Sequence, residues 1–336
     1  MKNLKKLPLI LSILSLASFI TPVNADVKVV ASIKPLHSLA SYLMDGVGKP
    51  DLIVEGYGSP HGFSMKPSHA KILQNADLIF WVGEDLEIFL EKPLSSIAKK
   101  AEKIELMEIK GLNVLKFRER NIFDEHDHDD HDDHGKKEDD HDDHEHDDHD
   151  KKEEHADHDD HDGHEDHAHG EYDPHIWLDP MNAKVILNKM VEHLIENDAK
   201  NASKYKSNLK NAFKDIDKLT ADVKADLSKS TASIVFHDAY QYFEERFDIN
   251  ILGAFTVNTD VMPGAEQLSE IREIIEHDKV SCIFSEPQFN PDIINAVAKD
   301  MDIKTGILDP LGATLNPGKN LYFDLIRNMS DSFKGC

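Results

Sequence analysis

Basic residues, cysteines and long apolar runs are all scarce in this sequence. Its 336 residues include 38 Lys and Arg against 64 Asp and Glu, which gives a formal net charge of −26. This balance excludes a nucleic-acid partner, because nucleic acids are bound by clustered Lys and Arg. Beyond residues 7–20, no apolar run approaches the roughly 20 residues that a membrane-spanning helix needs. We therefore expect the body of the protein to be soluble.

Residues 7–20 belong to an N-terminal segment with the features of an export signal. The segment reads MKNLKKLPLILSILSLASFITPVNADVKVV, in which three lysines precede a 14-residue apolar run and Val-Asn-Ala follows it. The apolar run is too short for a comfortable membrane span. We predict cleavage after Ala25, so that residues 1–25 are a signal peptide and the soluble protein is exported to the periplasm. A membrane anchor is the alternative.

The two cysteines, Cys282 and Cys336, are predicted to form a disulfide. An even number of cysteines in an exported chain favours this pairing, which would tie the C-terminal residue to a predicted strand. The alternative is a pair of thiolate metal ligands. That alternative needs two further ligands, and the sequence contains no C-x-x-C motif.

The negative charge is concentrated in residues 124–173. This segment holds 26 Asp and Glu and four Lys, so it carries −22 of the net charge and leaves only −4 for the rest of the chain. It has no periodic apolar pattern, and a chain of such composition cannot bury enough surface to offset its conformational entropy. We predict that it is a disordered insert in a surface loop of a first lobe.

The insert also contains 14 of the 21 histidines. Histidines two to four residues apart in a flexible chain can bind metal ions weakly and in many equivalent ways, and could pass zinc to a cleft. An inert, solvated loop is the alternative. The predicted weak ligands are His126, His128, His131, His134, His141, His144, His146, His149, His155, His158, His161, His164, His167 and His169.

Eight short apolar or β-branched runs alternate with helical patterns. Four precede the insert and four follow it, and they span residues 27–32, 51–56, 77–83, 103–109, 232–238, 249–256, 280–286 and 303–309. Continuous apolar runs are typical of strands buried on both faces, as in parallel sheets. Alternation of strands with helices predicts an α/β fold. We expect two lobes, each with a four-stranded, mainly parallel sheet flanked by helices.

A single long helix is predicted to join the lobes. Residues 201–228 contain neither Gly nor Pro, and their apolar residues recur at steps of three and four. Such a helix would be about 42 Å long; two shorter helices with a break near Thr220 are the alternative. The predicted division is an N-terminal lobe over 26–200, a linker helix over 201–229 and a C-terminal lobe over 230–336.

Four isolated residues at predicted element ends form a candidate metal site. His61 follows the second strand, His175 lies in DPHIWLDP just after the insert, and His237 and Asp309 end strands of the second lobe. In open parallel sheets, ligands bind beyond the carboxyl ends of the strands. Three imidazoles and a carboxylate suit zinc, whereas two imidazoles and two carboxylates would favour manganese. Taken singly, each of these residues is more often a satisfied polar group, and Asp309 could simply cap a turn.

Four other histidines fall within helical patterns. We expect them to be surface residues rather than ligands: His37, His69, His193 and His277.

Several stretches resemble one known family. They are VVASIKPLHSLA, VGEDLEIFLEKPL, DPHIWLDPMNA, IVFHDAYQYFEERF, EPQFNPDIINAVA and GILDPLG, and a His/Asp-rich insert precedes the third of them. Together they resemble the periplasmic zinc-binding proteins of bacterial ABC zinc importers, the ZnuA family. The resemblance covers essentially the whole chain after the signal segment, with the motifs in the same order.

The resemblance implies two small α/β lobes on one rigid helix, with metal ligands at His61, His175 and His237 and a looser fourth ligand at Asp309. Some family members have Glu before the first histidine, where this chain has Pro60. Manganese-binding relatives carry Glu at the position of His237, which favours zinc here. The family also has a disulfide at the positions of the two cysteines.

The resemblance further implies a function and partners. We expect a monomer that is not an enzyme, that captures Zn²⁺ with high affinity, and that docks transiently on an inner-membrane ABC permease coupled to a cytoplasmic ATPase. Small lobe motions are expected rather than a wide hinge.

Three other functions remain open from the residues. A manganese- or iron-binding transport protein would share the fold, and a zinc storage protein or metallochaperone would act through the insert. A metallohydrolase would use an open coordination position. The sequence has no H-E-x-x-H motif, and Glu286 is expected to be a structural hydrogen-bond acceptor rather than a base.

Overall fold

The structure is a computed structural model, and it describes residues 26–118, 120–123, 170–227, 231–257, 259, 261, 263–299, 301 and 303–336. The predicted signal peptide and the 14 histidines of the predicted insert lie outside the described residues. Among the helices that are described, none is both long and apolar enough to cross a membrane.

The first lobe is built on a four-stranded parallel sheet. Its strands are β1 (Val29–Ala31), β2 (Asp51–Leu52), β3 (Leu78–Trp81) and β4 (Glu102–Glu105), in the spatial order β2-β1-β3-β4. Both central strands are fully buried, as expected for apolar runs covered on both faces. The flanking helices are α1 (Lys34–Leu43), α2 (Pro67–Asn75), α3 (Glu84–Ser96) and α4 (Pro180–Asn197).

The second lobe repeats this plan. Its strands are β5 (Ser233–His237), β6 (Ile251–Thr256), β7 (Cys282–Ser285) and β8 (Lys304–Ile307), and all are paired in parallel in the order β6-β5-β7-β8. The helices of this lobe and of the C-terminus are α6 (Gln241–Phe247), α7 (Ala265–His277), α8 (Asp292–Ala298) and α9 (Leu321–Lys334). The predicted α/β fold with two four-stranded sheets is confirmed.

The predicted long helix is α5 (Ala202–Asp226), which joins the lobes. Its 25 residues correspond to about 37 Å. Thr220 lies inside it, and the hydroxyl of Thr220 donates a hydrogen bond to the carbonyl of Ile216 one turn earlier. The alternative of two helices with a break near Thr220 is therefore wrong. The buried face of α5 packs against α1, α4 and α9.

A large apolar core extends through both lobes, and a second, smaller cluster lies within the second lobe. A contiguous cluster of buried side chains contains residues of both sheets and of α5 and α9. The hydroxyl of Tyr322 on α9 donates to the carbonyl of Trp177 (2.9 Å), and the indole N–H of Trp177 donates to the carbonyl of Pro310 in the second lobe (2.8 Å). Because wide opening would expose this core to water, the packing favours small movements of the lobes.

Cys282 and Cys336 form the predicted disulfide, with their Cα atoms 5.8 Å apart. The bond connects the first residue of β7 to the residue that follows α9 by two positions. It therefore fastens the C-terminal helix to the second sheet.

The predicted insert ends earlier than residue 173. Tyr172 pairs with Lys116 in an antiparallel bridge, and Asp173 is fully buried. On the other side of the insert, Ile122 forms a bridge to Gly253 on β6, so the chain that enters the insert lies on the second lobe. The acidic composition hid this boundary, because Asp173 is a buried hydrogen-bond acceptor rather than a solvated carboxylate.

Candidate metal centre

Three of the four predicted ligands come together between the lobes. His61 lies after β2, His175 precedes α4, and His237 is the last residue of β5. One nitrogen of each ring lies within 4.8 Å of a nitrogen of the other two. The ring centroids of the pairs are 5.5, 5.6 and 5.2 Å apart. His175 and His237 are buried and His61 is half-buried.

The fold explains why residues so distant in sequence meet. The carboxyl ends of β2 and β5 belong to different sheets, and each sheet presents this end to the cleft between the lobes. His175, the third histidine, lies at the start of a short helical turn that leads into α4. Asp179 caps α4 by accepting a hydrogen bond from the amide of Met181, and this fixes the turn.

Carboxylates orient the two buried rings. The Nδ1 atom of His175 lies 2.7 Å from Oδ1 of Asp173, and Nδ1 of His237 lies 2.6 Å from Oε1 of Glu286. Tyr240 also donates its hydroxyl to Glu286 (2.9 Å). When Nδ1–H donates to a carboxylate, the neutral ring presents the lone pair of Nε2, which is the arrangement of metal-binding histidines in proteins.

The two Nε2 atoms face each other at a distance of 3.4 Å. In this tautomer each carries a lone pair, so the two atoms cannot form a hydrogen bond without an additional proton. Two nitrogens that are each about 2.1 Å from one tetrahedral zinc ion are about 3.4 Å apart. The separation of the rings therefore suits a zinc ion between them.

Burial sets the protonation of the site. Burial, followed by the neighbouring His237, holds the pKa of His175 well below its usual value. Burial also lowers the pKa of His237, but Glu286 and more distant carboxylates outweigh it, so the pKa of His237 is raised. Burial raises the pKa of Asp173 to about 7, against the lowering effect of its bond from the His175 amide. These shifts favour a neutral ring at His175, whereas the carboxylates around His237 favour positive charge on that side of the site.

Asp309 lies outside this group. Its Oδ1 atom accepts hydrogen bonds from the side chain of Gln288 (3.0 Å) and the amide of Leu311 (3.3 Å), and its Oδ2 atom accepts from the amide of Thr314 (3.3 Å). Among the described residues, the group that could hold an ion at this place consists of the three histidines. Asp309 caps its turn, and its role as a fourth ligand stays a prediction.

Apolar side chains enclose one side of the cluster. Trp177 lies 5.3 Å from the ring of His175, and Phe289 lies 5.9 Å from the ring of His237. These two aromatic side chains, with Pro310 and Leu311, line a small cavity next to the histidines. A dry wall of this kind strengthens the electrostatic attraction between the imidazoles and a bound cation.

The three histidines predicted from the sequence lie together here, and Glu286 accepts a hydrogen bond as expected. The sequence-based prediction missed Asp173, which it assigned to the insert. The available signal was the position of this aspartate two residues before His175 in DPHIWLDP.

Two comparisons of sequence identify the family. The sequence model of the family described as "Zinc-uptake complex component A periplasmic" matches residues 29–336. The high-affinity zinc uptake system protein ZnuA of Brucella abortus (strain 2308) is 48% identical over 310 residues, which cover 92% of this chain and 91% of the relative. The protein of the same name from Haemophilus influenzae is 41% identical over 342 residues and covers 100% and 99% of the two chains.

Solved structures share the fold. The crystal structure of a zinc-bound deletion mutant of ZnuA aligns with a TM-score of 0.70 at 18% identity, covering 92% of this chain and 97% of the other. A Cd-bound periplasmic metal-binding protein from Candidatus Liberibacter asiaticus aligns with a TM-score of 0.67 at 17% identity, covering 92% and 98%. The family model and the curated relatives extend over almost the whole chain. The chain therefore belongs to the ZnuA family of periplasmic zinc-binding proteins, which bind Zn²⁺ for uptake and are transport components rather than enzymes.

Proposed function

We propose that the protein captures Zn²⁺ in the periplasm and delivers it to the permease of an ABC importer in the inner membrane. The observation that carries the proposal is the 3.4 Å separation of the Nε2 atoms of His175 and His237, each ring being oriented by a carboxylate on Nδ1. His61 supplies the third imidazole, and Asp309 serves as a fourth, weaker ligand.

Each residue has a defined part in capture. Neutral imidazoles donate the Nε2 lone pairs to the ion, and Asp173 and Glu286 keep the buried rings in the tautomer that can do so. His61, which is more exposed than the other two, lies where the ion enters from solvent. Release requires the rings to separate, and a small displacement of one lobe is enough because His237 belongs to the second lobe and the other two histidines to the first.

Zinc titration with a competing chelator tests the capture site. We expect wild-type protein to bind one ion tightly, and His61→Ala to lose the tight site while retaining the weak sites of the insert. Deletion of the insert should remove the weak sites and retain the tight one. A tight site that survives His61→Ala would refute the proposed ligands, whereas one that disappears with the insert would favour storage.

Delivery is tested separately with the permease and its ATPase reconstituted in liposomes. We expect the zinc-loaded monomer to stimulate ATP hydrolysis and zinc transport. If the protein binds zinc tightly but does not stimulate ATP hydrolysis, the capture site is supported and delivery to that permease is refuted. Manganese or iron transported in preference to zinc would contradict the proposed cargo.

A further inference from the structure

A second group of metal-ligating side chains lies on the outer side of the first lobe. It consists of Glu102, the first residue of β4, with His193 and Glu196, which are one turn apart on α4. One nitrogen of His193 and one oxygen of each glutamate all lie within 4.8 Å of one another. Nδ1 of His193 is 2.7 Å from Oε1 of Glu102 and 3.6 Å from Oε2 of Glu196.

The ring of His193 contacts Glu102 closely but makes no hydrogen bond of standard geometry. The residue is only 9% exposed, and neither buried ring nitrogen makes a hydrogen bond of acceptable geometry with any described residue. The short contact with Glu102 therefore brings an imidazole nitrogen and a carboxylate oxygen together without the alignment of a hydrogen bond. The expectation that His37, His69 and His193 are surface residues is therefore wrong, because all three are buried, whereas His277 is exposed as expected. A buried imidazole whose Nδ1 atom lies close to two carboxylates without a hydrogen bond of good geometry offers, with them, three ligand atoms to a cation.

Glu102 is held in place by an outer partner. The side-chain amide of Asn197 donates to Oε2 of Glu102 (2.9 Å), and it also donates to the backbone carbonyl of His193 (2.9 Å). The amide thus fixes Glu102 relative to the turn of α4 that carries His193 and leaves Oε1 toward the ring. Outer-shell hydrogen bonds of this type orient ligands in metal sites.

No positive side chain competes for the carboxylates. Within the described part of the chain, neither Glu102 nor Glu196 forms an ion pair with a lysine or arginine, and nearby Lys189 is paired with Glu192 instead (3.5 Å). Glu196 is 67% exposed at its side chain, so one side of the group is open to water. Three protein ligands with an open position for water are a common arrangement for zinc, and imidazole favours zinc over magnesium and calcium.

The geometry points to a second Zn²⁺ site formed by Glu102, His193 and Glu196, weaker than the cleft site and independent of it. His193 lies thirteen residues beyond the start of α4, and this start adjoins the cleft. At 1.5 Å per residue, the second group is about 20 Å along the helix from the cleft histidines. An ion there would join β4 to the C-terminal end of α4.

Nitrogen NMR of the full chain tests this site residue by residue. The protein is labelled with ¹⁵N-histidine, loaded with one equivalent of Zn²⁺, and titrated with further ZnCl₂ while the ring signals are followed. His193→Gln assigns the signal of His193. We expect that signal to move to a metal-bound position only after the cleft is filled. Asn197→Ala removes the amide that holds Glu102 in place. In this variant, the zinc concentration at which the His193 signal is half shifted should rise about tenfold.

Two further variants make the result decisive. Glu196→Gln removes a ligand that is mostly exposed, so the variant retains the fold and should lose at least as much affinity as Asn197→Ala. The matched control is His277→Gln on α7, an exposed helical histidine that should leave the midpoint unchanged. The site is refuted if the ring signal of His193 stays fixed after the signals of the insert have saturated, or if Glu196→Gln and wild type have the same midpoint.

Discussion

The Nε2 atoms of His175 and His237 lie 3.4 Å apart although the two residues belong to different lobes. The Nδ1 atom of each ring is hydrogen-bonded to a carboxylate, which is Asp173 in the first lobe and Glu286 in the second. Neither lobe alone presents both nitrogens. The affinity of the site for zinc is therefore coupled to the relative position of the lobes, which the shared core and α5 restrict.

Loss of Glu286 should weaken zinc binding without removing a ligand. In Glu286→Ala, the ring of His237 loses the acceptor that selects its tautomer, while Tyr240 loses a partner. We expect the affinity of the cleft for zinc to fall by about 10–100-fold, the usual effect of removing an outer partner. Competition with a chelator measures this change. Unchanged affinity would show that the carboxylate does not orient the ring.

Asp309 is expected to contribute less than any histidine. In Asp309→Ala, the predicted fourth ligand is lost, and the amides of Leu311 and Thr314 lose their acceptor. We expect zinc affinity to fall about tenfold, compared with complete loss of the tight site in His61→Ala, and stability to fall by about 1 kcal/mol. The same chelator competition and urea unfolding measure the two effects. Zinc affinity equal to wild type would remove Asp309 from the ligand set.

The strands and the cleft histidines could be predicted because they follow from local patterns. The eight strands in the described part of the chain overlap the predicted runs, since the apolar runs of a sheet covered on both faces are continuous. The three histidines stood out because each lies at or beyond a strand or helix boundary. Asp173 and Glu286 were harder to interpret, because a carboxylate that orients a ring has the same sequence signature as one in solvent.

The second zinc site could not be predicted from the sequence. His193 and Glu196 are three residues apart on a helix, a spacing that is common on solvated helical faces. The third member, Glu102, is more than ninety positions away, and only the packing of α4 beside β4 brings it close. Burial of His193 likewise depends on this tertiary contact rather than on the pattern of the helix.

Glu87 should make the metal-free protein less stable as the pH rises. Burial raises the pKa of its carboxyl to about 7, despite hydrogen bonds from the amides of Val82 (2.7 Å) and Gly83 (3.4 Å). The folded state therefore binds a proton more tightly than the unfolded chain, where the pKa is near 4.5. This contribution to stability is complete below pH 4.5 and is lost as the pH rises through 7, a change of about 3 kcal/mol.

Glu87→Gln isolates this effect from that of other buried carboxyls. The amide cannot ionise, so the free energy of unfolding of wild type relative to the variant should fall by about 3 kcal/mol between pH 4.5 and 7.5 and then become constant. Urea unfolding at several pH values measures the difference. A difference that does not change with pH would mean that the carboxyl ionises as easily in the folded protein as in the unfolded chain.

Loss of the disulfide should destabilise the second lobe without affecting the zinc site. Cys282 and Cys336 are 54 positions apart in sequence, and closing a loop of this length stabilises a protein by about 4 kcal/mol through the entropy of the unfolded chain. The bond is attached at the first residue of β7, whereas Glu286 follows the last residue of this strand and contacts His237. We expect the Cys282→Ser, Cys336→Ser double variant to lose up to about 4 kcal/mol in urea unfolding and to bind one zinc ion with wild-type affinity. A loss of zinc affinity as large as that of Glu286→Ala would show that the disulfide positions the carboxyl end of β7, rather than only restricting the unfolded chain.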